Sequence, residues 1–250
     1  MEIAALQKGL VLMVDGSELI EEGAGFGVPI AKYSDTTFFS RTADVYLQRQ
    51  DENAVVITKT FLLDSISRKQ VHGAFINDGV YSVFHKTFER TYLHRGNMRP
   101  FFDWVMELRK TLGVETRFIE TSPKGKVIVT YQCYADHVKV DVDLSSMSTA
   151  GCQEILILNE QGATFFKKQK DSGGTVLFER EISGWRKIDA DQAEFSDAEG
   201  HIAFSLKKKN GVTLYCGREQ VKDRFSWAGM TYALNPKVAR FSYEIKIGRN

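Results

Sequence analysis

Residues 202–216 read Ile-Ala-Phe-Ser-Leu-Lys-Lys-Lys-Asn-Gly-Val-Thr-Leu-Tyr-Cys, and this stretch decides the fold class. Apolar side chains alternate with small or polar ones on both sides of Asn210-Gly211, which is the pattern of strands with one buried face. Asn-Gly tolerates the positive φ angles of a type I′ turn, so the stretch predicts a β-hairpin. The three lysines Lys207–Lys209 are typical of a solvated hairpin end.

The same period of two recurs along the chain. Val127–Cys133 and Val138–Leu144 flank a turn and predict a further hairpin, and Gln161-Gly162 predicts another. The chain ends on an alternating strand at Phe241–Ile247. Other stretches that look extended are 9–14, 18–21, 28–33, 36–40, 44–48, 54–63, 73–76, 80–84, 154–159, 163–167 and 175–182. The sequence therefore predicts an all-β, mainly antiparallel protein whose sheets pack as a large β-sandwich.

One helix is predicted, over residues 100–112. Pro100 suits a first helical position because its missing N–H would have no partner there. Gly113 follows the last periodic residue, as a C-cap does. The apolar stripe consists of Phe101, Trp104, Val105, Leu108 and Leu112. We expect this stripe to lie on a sheet face.

The length of 250 residues is compatible with one domain, because all-β domains routinely reach 200–250 residues. Hydrophobic residues make up 43% of the chain and charged residues 26%, which are globular averages and argue against disorder. The four prolines are scattered and no linker interrupts the pattern. We therefore expect residues 1–250 to form a single β-sandwich domain.

The charge balance excludes some classes of function. Lys and Arg number 33 and Asp and Glu 32, so the formal net charge is +1. Nucleic-acid-binding domains usually carry a clear basic surplus, so no nucleic-acid partner is expected. No stretch approaches the ~20 apolar residues of a membrane span. The cysteines, Cys133, Cys152 and Cys216, form neither a disulfide framework nor a zinc motif, which favours the cytoplasm.

Short motifs give no cofactor or metal site. The stretch Gly23-Ala-Gly-Phe-Gly27 has the wrong spacing for a dinucleotide-binding loop, and Val28-Pro-Ile30 after it looks extended. A bulge where two strands approach closely explains these glycines better. Nucleophile elbows, phosphate-binding loops and paired-cysteine motifs are absent from the sequence.

The richest polar segment spans residues 85–99. It contains four cations against one acid, Glu89, and two of the chain's five histidines. Guanidinium forks and imidazoles suit a carboxylate, a phosphate or a polyhydroxylated ligand. The residues that we expect to act there are His85 and His94 as proton-transfer groups and Arg90, Arg95 and Arg99 as ligand-binding groups. The alternative is an exposed strand with a charged face, and residues 85–94 fit either a strand or a helix.

Three further residues extend this candidate site. Asp35 and Arg41 flank a polar connection between two extended stretches, although Ser-Asp-Thr is also ordinary turn chemistry. Trp185 lies in a glycine-containing segment, as does Trp227, and an exposed indole face stacks on sugar rings. The alternative for both tryptophans is to cover the core at a sheet edge.

The late stretches Tyr232-Ala-Leu-Asn-Pro236 and Arg240–Ile247, within a chain rich in strands, resemble the galactose-mutarotase-like supersandwich family. The resemblance implies paired histidines and a carboxylate that move protons at the anomeric centre of a sugar. Carried onto this chain, it points to His85 and His94, with the acid unassigned.

Two hypotheses from different classes follow. In the first, the protein is a carbohydrate-active enzyme with epimerase-like or lyase-like acid/base chemistry on a sugar or sugar acid. In the second, it is a non-catalytic binding or assembly protein that uses a sheet face or edge, and homo-oligomers form through sheet edges. Missing motifs do not decide between the two, because function depends on sites rather than on fold.

Overall fold

The computed structural model describes residues 2–5, 8–14, 17–18, 25–34, 36–40, 43–50, 53–63, 67–71, 111, 115–119, 122–182, 184–221 and 225–249. The strands in this part of the chain are β1 (Glu2–Ala4), β2 (Val11–Val14), β3 (Ser17–Glu18), β4 (Gly25–Tyr33), β5 (Thr36–Phe39), β6 (Ala43–Gln50), β7 (Val55–Leu62), β8 (Ser67–Val71), β9 (Glu115–Ile119), β10 (Lys126–Cys133), β11 (His137–Asp143), β12 (Cys152–Gly162), β13 (Lys168–Asp171), β14 (Val176–Phe178), β15 (Arg186–Ile188), β16 (Gln192–Ser196), β17 (Ile202–Lys207), β18 (Thr213–Val221), β19 (Phe225–Leu234) and β20 (Arg240–Arg249).

Two large antiparallel sheets dominate the fold. The nine-stranded sheet has the order β14-β13-β16-β17-β20-β11-β10-β7-β6, and the six-stranded sheet has the order β15-β18-β19-β12-β4-β5. A three-stranded sheet, β1-β2-β3, and the pair β8-β9 accompany them. The prediction of an all-β, antiparallel sandwich is confirmed. No helix in the described part of the chain is long and apolar enough to cross a membrane.

Aromatic side chains join the two sheets. Phe26 of β4 meets Phe204 of β17 edge-to-face, with ring centroids 5.2 Å apart. Tyr232 of β19 meets Tyr243 of β20 with centroids 5.0 Å apart. Edge-to-face pairs of this kind contribute about 0.5–1.5 kcal/mol beyond the area they bury. These contacts identify the inward face of each strand, because side chains along a strand alternate between its two faces.

The hairpin predicted at residues 202–216 is wrong. Strand β17 lies in the nine-stranded sheet between β16 and β20, whereas β18 lies in the six-stranded sheet between β15 and β19. Gly211 has φ 72°, so a turn with a left-handed glycine forms at the predicted position, but it carries the chain from one sheet to the other. The apolar faces of the two strands therefore line the same interior from opposite sides, and an alternating pattern does not distinguish this arrangement from a hairpin.

The turn predicted at Gln161-Gly162 is also wrong, because β12 continues through both residues. The Gln161 side chain is buried and bonds to backbone: its Oε1 accepts a hydrogen bond from Leu12 N at 3.1 Å, and its Nε2 donates to Leu10 O at 3.2 Å. A polar residue that resembled a turn signal thus holds the N-terminal segment in place.

Other predictions are confirmed. The β10–β11 hairpin and the final strand β20 form as expected, and β20 lies inside the nine-stranded sheet. The glycine-rich stretch forms a bulge, since the register of β4 against β12 shifts between Leu158 and Asn159. The helix expected at residues 100–112 lies outside the described residues except for Thr111.

Lys59 is buried between the sheets and contacts the N-terminal segment. Its Nζ donates hydrogen bonds to the carbonyl oxygens of Lys8 at 3.0 Å and Gly9 at 2.8 Å. Burial lowers the pKa of Lys59 from 10.5 to about 8, because the charged form loses hydration. Lys59 therefore hydrogen-bonds to the same N-terminal segment, residues 8–12, that Gln161 contacts.

The Lys59→Met variant tests this description through the pH dependence of stability. Between pH 8 and 10.5 the unfolded chain keeps a proton that the folded chain releases, so the unfolding free energy of the wild type rises with pH relative to the variant. The slope is at most about 1.4 kcal/mol per pH unit. Urea unfolding at several pH values measures it. The exposed Lys246→Met is the control, and an equal slope in the wild type and both variants would contradict the burial of the charge.

Candidate functional site

Most of the residues predicted for the site lie outside the described part of the chain. These residues are Asp35, Arg41, His85, Arg90, His94, Arg95 and Arg99. Trp185 is described, and it is half-buried just before β15. The site below is therefore built from other residues, with Trp185 at its border.

Glu160 projects from the outer face of the six-stranded sheet. Its neighbour Asn159 points inward, because Asn159 Oδ1 accepts a hydrogen bond from the Tyr243 hydroxyl of the opposite sheet at 2.8 Å. Consecutive side chains on a strand point to opposite faces, so Glu160 points outward. Its exposure is only 9%, which is unusual for a carboxyl on an outer sheet face.

A row of glycines crosses the sheet at Glu160. In register, Gly25 of β4 lies on one side of Glu160 and Gly229 of β19 on the other, and Gly217 of β18 lies beyond Gly229. Side chains are missing at these three positions, so no side chain stands beside Glu160 at this register. All three glycines are buried.

Close backbone packing explains all three glycines, since a Cβ at Gly25 would lie 2.7 Å from Cα of Gly9. A Cβ at Gly229 would lie 2.1 Å from the carbonyl oxygen of Asn159, and a Cβ at Gly217 would lie 2.7 Å from Cα of Trp185. Both distances are below any permitted contact between these atoms. The Trp185 backbone therefore packs directly on Gly217, which places this predicted ligand-binding residue at the end of the glycine row.

The pKa of Glu160 is raised from 4.5 to about 8, mainly by burial and in smaller part by the negative charge of Glu219. Both effects disfavour the ionised form, the first by loss of hydration and the second by repulsion between like charges. Glu160 consequently keeps its proton at neutral pH and acts as a hydrogen-bond donor.

Glu219 and Trp227 are cross-strand neighbours on the same face. The register pairs Glu219 of β18 with Trp227 of β19, and pairs Trp227 with Gly162 of β12. Both side chains are half-buried. Trp227 was expected in an irregular segment, and that expectation is wrong because it lies within β19. The register thus places a glycine, and not a larger side chain, next to the indole on β12.

Thr231 adds a second polar group to this face. It lies two residues after Gly229 and therefore on the same side of β19. Its exposure is 4%, and its Oγ1 has no hydrogen-bond partner. A buried hydroxyl without a partner costs about 1–3 kcal/mol, so such groups are expected where a ligand or water completes the hydrogen bonding.

We refer to Glu160, Glu219, Trp227 and Thr231, with the glycines at 25, 217 and 229, as the outer-face site. It combines a neutral acid, a carboxylate, a hydroxyl and an aromatic ring. Acid/base chemistry commonly uses two carboxyl groups whose environments give them different pKa values, so that one donates a proton and the other accepts one. Hydroxyl-rich ligands use the same set of groups for binding.

Sequence reasoning missed this site because its members come from four strands. Glu160 falls between the extended stretch 154–159 and the turn predicted at Gln161-Gly162, and the glycines that flank it in the sheet are distant in sequence. The available signal was an acidic residue within a strand that otherwise reads Ile-Leu-Ile-Leu-Asn at residues 155–159. A charge that continues a buried strand calls for a specific explanation.

Two other polar groups are solvated. Asp197, Glu199 and His201, at the turn between β16 and β17, hold ligand atoms within 4.8 Å of one another. Glu199 and His201 are exposed, and Asp197 Oδ1 accepts a hydrogen bond from Ile202 N at 2.8 Å. At the β10–β11 turn, the exposed Asp136 bonds to His137 Nδ1 at 2.7 Å, which lowers the pKa of the Asp136 carboxyl. Both groups act as turn caps.

Comparisons with known proteins do not assign a family. No family model and no curated protein matches the chain. Among solved structures, the chain is similar to the crystal structure of Slr1438 protein from Synechocystis sp. PCC 6803, with 8% sequence identity and a TM-score of 0.37. The match covers 93% of this chain and 77% of that one. A likeness of this degree carries no argument, and the galactose-mutarotase-like resemblance is not confirmed.

The Gly229→Ala variant tests the close packing at the site. The added methyl group meets the Asn159 carbonyl, so we expect a loss of about 3 kcal/mol in unfolding free energy. Gly248→Ala in β20 is the matched control, since nothing lies within 4 Å of a Cβ there. Its effect should stay within about 0.5 kcal/mol. Urea denaturation of both variants measures the difference, and equal effects would contradict the close approach.

The Glu160→Gln variant tests the neutral state of the acid. The native chain holds a proton on Glu160 that the unfolded chain releases between pH 4.5 and 8, so wild-type stability falls as pH rises through this window. Glutamine does not titrate, and the variant should lose this part of the pH dependence, at most a few kcal/mol in total. Unfolding free energies at pH 5 and pH 8 provide the measurement, and an unchanged pH dependence would show that Glu160 ionises normally.

Proposed function

We propose that the protein binds a sugar or sugar acid at the outer-face site, and that Glu160 donates a proton to the bound ligand. The observation that carries the proposal is the buried Glu160 carboxyl, whose pKa is raised to about 8, beside a second carboxyl group. A general acid must hold its proton at the working pH, and ordinary carboxyl groups do not.

The roles follow from the environment of each group. Glu160 donates its proton to a glycosidic or ring oxygen of the ligand. Glu219 accepts hydrogen bonds from ligand hydroxyls and takes up the proton that leaves the ligand on the opposite side. Trp227 stacks on the apolar face of the sugar ring. This chemistry belongs to the carbohydrate-active class, of which epimerases and lyases are members.

The basic segment at residues 85–99 stays a prediction. Its arginines and histidines fit an anionic sugar, and they would favour sugar acids over neutral sugars. His85 and His94 as proton-transfer groups likewise stay predictions. The other hypothesis, a binding protein without turnover, uses the same outer-face site and differs only in whether Glu160 transfers its proton.

Assembly through sheet edges also stays a prediction. The nine-stranded sheet ends on β14 and β6. Val176 and Phe178 of β14 are 47% and 53% exposed, which is more than apolar side chains on an edge strand usually show. These residues support self-association as a property separate from ligand binding.

Melting temperatures and turnover together test the proposed function. The wild type is screened against neutral sugars, sugar acids and phosphates, because a ligand of the folded state raises the melting temperature. Trp227→Ala should weaken binding of the responding sugar at least ten-fold. Glu160→Gln should keep binding within a few-fold and lower turnover about 10²–10⁴-fold.

The control is Glu244→Gln, which removes an exposed carboxyl from β20 in the other sheet. It should bind and turn over as the wild type does. Two results would contradict the proposal: no sugar or sugar acid shifts the melting temperature, or Glu160→Gln keeps full turnover. Binding without any turnover by the wild type would favour the non-catalytic hypothesis.

A further inference from the structure

A buried amide and two buried atoms of a half-buried guanidinium, all without hydrogen-bond partners, face the interior near one end of the sandwich. Gln169 of β13 is 0% exposed, and neither its Oε1 nor its Nε2 has a partner. It points inward because it pairs in register with the buried Phe195 of β16. An amide buried in this way costs several kcal/mol unless something bonds to it, so the position calls for an explanation.

The second side chain, Arg186, belongs to the opposite sheet. In β15 it pairs with Cys216 of β18, which is buried on the inward face, so the guanidinium enters the interior. Its Nε and Nη2 atoms are buried and have no hydrogen-bond partner. No carboxylate of the described residues lies within ion-pair distance of Arg186.

A contact between the sheets places these two side chains in one region. Arg218, on the same face of β18 as Cys216, bonds to Glu179 directly after β14, the strand that pairs with β13. The inward faces of β13 and β15 are therefore oriented towards the same part of the interior. In keeping with this, the pKa of the Cys216 thiol, which is raised mainly by burial, is lowered by the charge of Arg186 and raised by the charge of Asp171, two residues after Gln169 on the same face of β13.

No surrounding carboxyl group of the described residues pairs directly with Arg186. Asp171 Oδ1 accepts hydrogen bonds from the turn amides of Gly173 at 2.9 Å and Thr175 at 3.1 Å. Arg218, two residues after Cys216 on the same face, has its own partner, since its Nη2 lies 2.9 Å from Glu179 Oε1. Of the two guanidinium groups in this region, Arg218 therefore has a carboxylate in direct contact and Arg186 does not.

The free atoms of Arg186 are suited to an oxyanion. Nε–H and one Nη2–H lie on the same edge of the planar guanidinium and point in the same direction, which matches two oxygens of a carboxylate or phosphate. Gln169 Nε2 offers a further donor from the facing sheet. Water would bond to both groups, whereas an oxyanion would in addition bring a negative charge into direct contact with the guanidinium.

We propose that the interior region between β13, β15 and β18 binds a small oxyanion, with two hydrogen bonds from Arg186 and one from Gln169. The ligand is a carboxylate or a phosphate group, either free or as the end of a larger molecule. This interior anion site lies on the inward face of the six-stranded sheet, whereas the outer-face site lies on the opposite face, and neither depends on the other.

Thermal denaturation of the full chain tests the proposal with defined probes. Inorganic phosphate and sodium acetate are titrated separately against sodium chloride at constant ionic strength. We expect one of them to raise the melting temperature by on the order of 5 °C at a hundred-fold excess over its Kd, and chloride to have no comparable effect. A response to phosphate alone or to acetate alone identifies the oxyanion class.

Two variants distinguish anion binding at this site from general stabilisation by added salt. Gln169→Leu should weaken anion binding at least ten-fold and leave the melting temperature without anion unchanged or higher, because it removes a buried amide without a partner. Arg186→Lys should weaken binding at least as much, since lysine lacks the two-pronged edge. Lys187→Gln is the matched control: it removes the adjacent, exposed cation and should respond as the wild type does.

The melting temperature of Gln169→Leu without anion shows whether this variant is folded, so that a lost response is assigned to the site and not to unfolding. If the wild type responds to neither phosphate nor acetate, or if Gln169→Leu responds to the same extent as the wild type, the proposal is wrong. A response that Lys187→Gln loses together with Gln169→Leu would also overturn it, because general surface charge would then explain the stabilisation.

Discussion

The centre of the six-stranded sheet is buried on both of its faces, and the chemistry of the molecule depends on this. The inward face packs on the nine-stranded sheet through Phe26 and Tyr232. On the outer face, Val28 and Thr231 are each 4% exposed, so Glu160 sits among groups that water barely reaches. Burial is the larger cause of its raised pKa, and a sheet solvated on one side would have left this carboxyl ionised.

The interior polar groups fall into two kinds. Asn159 accepts hydrogen bonds from Tyr243 and from Gly27 N, and the Tyr131 hydroxyl donates to the Phe26 carbonyl at 2.8 Å, so this network is complete and stabilises the packing of the two sheets. The Oε1 and Nε2 atoms of Gln169 and the Nε and Nη2 atoms of Arg186 are also buried, but they have no hydrogen-bond partners. Because the first set of buried groups is fully hydrogen-bonded, the second set calls for an explanation. A bound ligand would complete its hydrogen bonds.

Sequence periodicity predicted the strands but not the sheets to which they belong. The hairpin at 127–144 formed as expected because its two strands are adjacent in both sequence and space. The stretch 202–216 has the same pattern and instead connects two sheets, since alternation records which side is buried and not which strand lies alongside. The site around Glu160 could not be predicted for a related reason: register brings Gly25 and Gly229 to it from distant parts of the chain. Trp185 is the predicted ligand-binding residue that lies at its border.

The most direct test of the account is the titration of the Glu160 carboxyl carbon by NMR, with the signal assigned from its loss in Glu160→Gln. The account predicts a midpoint near pH 8, and a lower midpoint in Glu219→Gln because that variant removes the neighbouring negative charge. A midpoint near 4.5 in the wild type would mean that the carboxyl is hydrated and ionised at neutral pH, and would contradict its role as a proton donor.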